Sequence, residues 1–293
     1  MEILSKRQVK VLDISTEIAT SECNKIGFVS KSMVTASMPH ARVKNNQYVR
    51  KNNNYTLTIL GNADCGGLPY GTYPRLILMW IVTEVSQKKA REITLGKNLS
   101  DFMYKLGILV TGGKFGTINR FKDQMKKLFS STISLLYEDK IQRKFVSVNM
   151  SIVDQAEIEM DDDLYGSKII VSESFYKEIL KSSIPIDLRA VSALKDSSLA
   201  LDIYFWLTFR FSYLSETLIL TFDNLFVQFG VGYRRTSHGK YEFKRKFTKQ
   251  LKKVLAVYHY AKVKVNGNEL ILEPSFTHVN RRSIKNMLPG YKK

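Results

Sequence analysis

The sequence predicts an α+β fold made of two tandem copies of one unit, and three observations predict it. The order helix, short strand, helix, loop, basic helix and two-stranded hairpin occurs twice along the 293 residues. Individual positions recur as well. Phe121, Met125, Leu128 and Phe129 return at one constant interval as Phe247, Leu251, Val254 and Leu255. Leu95, Phe102, Leu106 and Gly107 return at a second interval as Leu218, Leu225, Phe229 and Gly230. Finally, 44% apolar composition is enough for real cores. Internal duplication of one supersecondary unit is the economical explanation. A three-helix core with a strand between its first two helices and a ribbon at its end is a winged helix, whose third helix enters the major groove of DNA.

Residues 1–66 read as an N-terminal extension whose strands pack on the first domain; "YTLTIL" alternates in strand fashion and "KNNN" before it makes a turn. The first winged-helix domain spans 67–181. "YPRLILMWIVTEVSQKKA" has helical period, with Pro74 at its opening turn, and "REITL" is a short strand. Ser100 is placed to cap "DFMYKLGI", with Gly107 as its stop. A long basic helix then runs from Thr117 to about Tyr137. "FVSVNMSIV" and "KIIVS" form a hairpin around the acidic loop "DQAEIEMDDDLYGS".

The second domain, 182–280, repeats this with "LALDIYFWLTFRFSYL", "LILT" and "NLFVQFGV" capped by Asp223. The basic helix "YEFKRKFTKQLKKVLAVY" follows, then "AKVKV" and "ELILEP" around "NGN", a strong hairpin signal. Trp80 and Trp206 sit at matching places in the two first helices and read as core. Residues 281–293 are a basic C-terminal tail.

Charge narrows the function. Lys and Arg number 45 against 27 Asp and Glu, a net +18, which points to a polyanionic partner. No run of about 18 apolar residues is present, so no membrane span or membrane partner is expected. The N-terminus lacks the apolar core of a signal peptide, and Cys23 and Cys65 are too few for a disulfide framework. The expectation is a cytoplasmic protein whose partner is nucleic acid.

The two basic helices give the candidate contacts. On the first, Ile118, Phe121, Met125, Leu128 and Phe129 share one side, and Asn119, Arg120, Asp123, Lys126 and Lys127 the other. On the second, Phe243, Phe247, Leu251, Val254 and Leu255 form the buried stripe. Arg245, Lys249 and Lys252 lie opposite, with Lys246 and Lys253 on the flanks and Lys244 nearby. Arg bonds guanine bidentately, Asn bonds adenine, and Lys neutralises phosphate. Asn119 and Arg120 are therefore base-reading candidates on the first helix, and Arg245 on the second. The loop residues Lys114, Thr117, Arg234 and Arg235 complete the DNA-binding set. A merely solvated face tends to mix signs, whereas Tyr241 to Lys253 holds six cations and one acid.

Other chemistries lack their signatures. "TGGKFGT" does not follow the order of a nucleotide-binding loop, so no nucleotide cofactor is expected. The four histidines are scattered, without the His-x-His pair of a strand-nicking enzyme. Asp161–Asp163 would serve a metal-dependent nuclease only if joined by carboxylates from other elements, and a solvated loop is the simpler reading. The expectation is a non-enzyme without metal or cofactor. A winged-helix transcriptional regulator without origin-melting activity is the alternative.

The segments "YTLTIL", "GLPYGTYPRLILMWIVTE", "REITLGKNLSDFMYKLGI", "TGGKFGTINRFKDQMKKLFSSTIS" and "DLRAVSALKDSSLALDIYFWLT" resemble the plasmid replication initiators of the RepA type. The resemblance spans about Met38 to Val257. It implies two winged-helix domains that bind repeated sites (iterons) in double-stranded origin DNA, open the origin, and recruit the host initiator and replicative helicase. It also implies a homodimer in equilibrium with monomer, joined through the N-terminal winged helix, with the dimer repressing its own gene. The recognition-helix role falls on Thr117 to Phe129 and on Tyr241 to Val257.

Overall fold

The computed structural model of the chain describes residues 5–23, 25–35, 38–52, 54–114, 116–139, 143–158 and 167–279. The elements, in chain order, are α1 (Lys6–Thr20), β1 (Ile26–Ser30), α2 (Lys31–Thr35), β2 (Gln47–Asn52), β3 (Tyr55–Leu60), α3 (Thr72–Lys88), β4 (Glu92–Thr94), α4 (Leu99–Lys105), α5 (Thr117–Phe129), β5 (Thr132–Asp139) and β6 (Lys144–Ser151). They continue with β7 (Val153–Glu157), β8 (Lys168–Val171), α6 (Glu173–Ser182), β9 (Ser183–Asp187), α7 (Leu188–Leu194), α8 (Ser198–Phe211), β10 (Leu218–Thr221), α9 (Phe222–Phe229), α10 (Ser237–Val257), β11 (Val263–Asn266) and β12 (Glu269–Leu272). The chain forms two compact units, one of Met38–Ser183 and one of Met1–Ser37 with Ile184–Lys293. The fold is mixed α+β with several antiparallel sheets.

In the unit of Met38–Ser183, α3 is apolar nearly all round and lies in the core. Its one fully buried cation, Arg75, donates to the backbone oxygens of Met38 and Gly71, each at 2.6 Å, so its charge is solvated by carbonyls. Trp80 meets Phe102 edge-on at 4.7 Å, and Phe102 meets Phe121 at 5.7 Å, linking α3, α4 and α5 in one aromatic chain. Strand β4 pairs with β8, which pairs with β7, all antiparallel. A second antiparallel sheet has the order β2-β3-β5-β6.

Three sequence expectations change here. The basic helix ends at Phe129, not near Tyr137, because Thr132–Asp139 is captured as a strand between β3 and β6. The hairpin around the acidic loop uses Val153–Glu157, while "FVSVNMS" belongs to the other sheet. The cap of α4 is Asn98, whose side chain accepts from the Asp101 N–H at 2.7 Å, two residues ahead of the expected Ser100.

In the other unit, β10 pairs with β12 and β12 with β11, the same order as β4-β8-β7. Its aromatic chain runs Trp206–Phe229–Phe247, with ring centres 5.6 and 5.5 Å apart. The tryptophan thus finds its partner one turn further along α9 than Trp80 does along α4.

The N-terminal segment is divided between the units. Residues 38–66 contribute β2 and β3 to one unit, whereas residues 1–37 belong to the other. Strand β1 pairs with β9, and α1 packs on α7 and α10. The physical reason is a buried ion pair. Arg189 is held by Asp187 (Nη2 to Oδ2, 2.7 Å) and donates through Nη1 to Ser21 Oγ, also at 2.7 Å. With one partner removed, the other would be a buried charge without compensation. The expected packing of the whole 1–66 stretch on the first domain therefore gives way at its front half.

This cluster continues into the core. Tyr204 Oη accepts from the Asp187 N–H at 2.9 Å and contacts His278 Nδ1 at 2.8 Å, and Tyr258 stacks on the imidazole at 4.6 Å. Burial pushes the pKa of His278 from 6.5 down to about 4, with the attraction of Asp187 opposing and the charges of Arg189 and His259 assisting. Burial also pushes Asp187 upward, but hydrogen bonds from Arg189 outweigh it and hold the carboxyl below its ordinary range. Both folded-state values lie below the unfolded ones, so the unfolded chain takes up the protons. The stability His278 contributes is present above pH 6.5 and is lost as the pH falls toward 4, whereas that of Asp187 is lost only below its ordinary value of 3.8. Thermal melts should show this unit losing about 3 kcal/mol over that window, and His278→Gln should flatten the acid limb.

Candidate nucleic-acid interface

The 21-residue helix α10 is the longest described helix, and its orientation is fixed from behind. Thr236 caps it, accepting from the Gly239 N–H at 3.2 Å. Phe243 packs on Phe226 and Tyr233 at 5.4 and 5.6 Å, and Phe247 on Phe222 and Phe229 at 5.9 and 5.5 Å. Phe243, Phe247, Leu251, Val254 and Val257 are buried, and Leu255 is half-buried. With that stripe inside, the helical period turns Arg245, Lys249 and Lys252 outward, and Lys246 and Lys253 are exposed beside them.

The loop before α10 is pressed against its first turn. A Cβ on Gly239 would meet the Arg234 carbonyl oxygen at 2.1 Å, so glycine allows a backbone approach that no side chain would. This sets the exposed Arg234 and Arg235 at the start of the helix. Arg245 bonds Glu242 at 2.7 Å while remaining 67% exposed, and that hydrogen bond lowers the carboxyl's pKa. Lys244 lies 5.0 Å over the Phe222 ring and reaches Asn268 Oδ1 at 3.5 Å, tying the helix to the β11–β12 turn. Lys240, which the sequence reading left out, bonds Asp223 at 2.6 Å and tethers α10 to α9.

Helix α5 is different. The Thr117 hydroxyl donates to the Leu109 carbonyl at 2.7 Å and accepts from the Thr111 N–H at 2.9 Å, so it closes the glycine-rich loop. Asn119 Nδ2 donates to the Gly113 carbonyl at 3.1 Å, bracing the same loop. Arg120 is exposed, with Nε 3.5 Å from the Gly116 oxygen. Lys114 and Lys126 are exposed.

Lys127 corrects the helical-wheel assignment, which placed it on the solvent face. Its side chain is 5% exposed, bonds Asp123 at 2.7 Å and lies 5.5 Å over the Tyr70 ring. A Cβ on Gly66 would come within 2.9 Å of its Cε, so the missing side chain there makes room for it. The neighbouring Gln124 is also buried and accepts from the Tyr70 N–H at 2.7 Å. The 66–70 strand-to-helix connection thus covers one edge of α5, and periodicity within the helix carries no trace of that.

An exposed row of fixed cations attracts a regularly charged anion such as a phosphate backbone. The match to known proteins agrees in kind. The family of plasmid-encoded RepA proteins matches residues 68–224, more than half of the chain. The chain belongs to this family. RepA proteins of this kind are plasmid replication initiators, as the sequence resemblance implies. Among solved structures, the chain is similar to domains 2 and 3 of RctB, with TM-score 0.50 and 11% identity over 83% of this chain and 96% of that one. The likeness is one of fold and supports a tandem-domain architecture for this RepA-family chain. No curated protein sequence matches it.

Among the described residues, no cluster of His, Cys, Asp or Glu is arranged to hold a metal ion. Asp161–Asp163 lie outside the described residues, as does the tail 281–293. No described helix is long and apolar enough to cross a membrane.

The contrast between the two lysines of α5 is measurable. Lys127→Ala should lower the urea midpoint, at a cost of about 1–3 kcal/mol for a lost buried charge-assisted bond. Lys126→Ala should leave the midpoint unchanged.

Proposed function

We propose that this RepA-family protein initiates plasmid replication without catalysing a reaction itself, by docking two internally duplicated winged-helix domains on repeated sites (iterons) of double-stranded origin DNA. One observation carries the reading: the family's chain turns an unbroken cation row on α10 outward, backed by buried aromatics. The winged-helix part is supported by the shared strand order β4-β8-β7 and β10-β12-β11, each beside a three-helix core. Helix α10 is the principal base-reading helix. Arg245 addresses a base edge, and Arg234, Arg235, Lys246, Lys249, Lys252 and Lys253 address phosphates.

Helix α5 plays the smaller DNA role, because Thr117, Asn119 and Lys127 already serve its own loop and core. The exposed Arg120, Lys126 and Lys114 are its contacts. Two modules about one helical turn apart cover roughly 20 bp. A homodimer in equilibrium with monomer divides the work, the dimer repressing its own gene and the monomer binding iterons. Bound protein then recruits the host initiator and replicative helicase to the opened duplex.

Footprinting on the plasmid's own origin should reveal tandem direct repeats, and permanganate should mark melted thymines beside them when host factors are present. Protection of an inverted repeat alone, with the duplex closed, would instead identify a transcriptional regulator. Arg245→Ala should weaken binding roughly ten- to hundredfold and relax preference at one base pair. Lys249→Ala should weaken all sequences alike and reduce the salt slope by about one unit.

A further inference from the structure

Between Tyr241 and Lys253, α10 carries six cations and one acid, Glu242. A carboxylate there opposes phosphate binding, so its presence needs a physical reason. Stability supplies little of one. Its partner Arg245 lies three residues on at 2.7 Å, and both side chains meet water, 34% and 67% exposed. Exposed pairs of this spacing contribute little, because water competes and two long side chains must be held in one geometry. Helix α5 shows the contrast. Its acid, Asp123, offsets the buried Lys127, whereas Glu242 faces a cation that water already solvates.

The setting keeps this carboxylate charged and fixes where it leaves the helix. The hydrogen bond from Arg245 lowers its pKa, with desolvation opposing and the charges of His238 and Lys246 assisting. It is therefore an acceptor only. The next residue, Phe243, is buried against Phe226 and Tyr233. Glu242 lies in the second turn of α10, which begins at Ser237, and a helix in the major groove contacts base edges through its N-terminal residues. Glu242 and Arg245 stand about 4.5 Å apart along the helix axis, near the roughly 3.4 Å between stacked bases. Residues three apart on such a helix address successive bases.

We propose that Glu242 is a specificity-determining residue, accepting from the amino group of a cytosine while Arg245 donates to a guanine on the neighbouring base pair. The assignment rests on α10 being the base-reading helix and adds a second position to what that helix reads. The chemistry is that of the major groove, where cytosine presents its N4 amino donor and guanine its O6 and N7 acceptors. The 2.7 Å bond lets each side chain hold the other in place, so little freedom is lost on binding. Selectivity has a repulsive part as well. Where thymine or guanine replaces the cytosine, the carboxylate meets acceptors and stays unpaired beside phosphates. Adenine presents an amino donor too, but its N7 sets an acceptor against the second carboxylate oxygen.

The test measures, by fluorescence anisotropy at fixed salt, binding of the full chain to a duplex bearing one footprinted origin repeat and to its single-base-pair variants. Wild type should show one cytosine and one guanine on neighbouring base pairs whose replacement weakens binding roughly tenfold each. Glu242→Gln should abolish the cytosine requirement and accept adenine in its place, because an amide pairs with adenine N6 and N7. The guanine requirement should stay, which also shows that the helix is intact. Asp223→Asn removes one exposed acid from α9 and controls for charge alone, so it should strengthen binding to all duplexes alike. A Glu242→Gln profile that rises evenly like the control, with the cytosine requirement kept, would overturn the proposal. So would loss of the guanine requirement with the cytosine requirement kept, the mark of a carboxylate that only positions Arg245. A wild type that binds every duplex equally would overturn the base-reading role of α10, and this assignment with it.

Discussion

Phe243 and Phe247 share a helix with Arg245, Lys249 and Lys252, and burying the first pair orients the second set. Each phenylalanine contributes about 1.5–3 kcal/mol by leaving water, far more than a solvated cation loses or gains by where it points. Four aromatic rings from α9 and the connection after it receive that pair. The cations are therefore turned outward by the core, with Arg245 also held by Glu242. A surface fixed in this way loses little conformational freedom when a ligand binds, since the helix that carries it is already ordered.

The two basic helices share an aromatic stripe and differ in their outer faces. In α5 the aromatic anchor survives as Phe121 against Phe102, but the polar face has been drawn into local structure. Lys127 and Asp123 pair beneath the 66–70 connection, Thr117 and Asn119 hold the preceding loop, and Gln124 satisfies the Tyr70 N–H. In α10 Lys244 turns toward the β11–β12 turn, Lys240 anchors to α9 and Arg245 pairs with Glu242, but Arg245, Lys246, Lys249, Lys252 and Lys253 all stay exposed. Similar hydrophobic faces thus support different outer faces. That difference makes the outer face of the second helix the stronger candidate for DNA contact.

The Asp187–Arg189 pair gives the second unit its boundary. It sits where the chain returns from residues 38–183, and it is sealed by Ser21 from the far N-terminus. A buried pair of this kind is costly to half-remove, so it specifies which N-terminal segment must be in place. Tyr204 and His278 extend the network, and the neutral imidazole held there is the basis of the acid sensitivity expected of the unit.

The sequence by itself determined the repeated element order, the aromatic stripes of both basic helices, both tryptophans as core, and the family. All of these are written in local periodicity or in residue identity, which packing does not alter. It also carries the capping box of Ser5 and Gln8 that announces α1. Only the tertiary structure decided the rest. It turned the residues after Phe129 into a strand, because β3 and β6 offered hydrogen bonds that a helix continuing alone did not. It sent residues 1–37 to the distant half of the chain, because Arg189 needed partners there. It also took Lys127 out of solvent, because Gly66 left room for it. Each of these outcomes depends on groups far apart in sequence, whose meeting no window of neighbouring residues records.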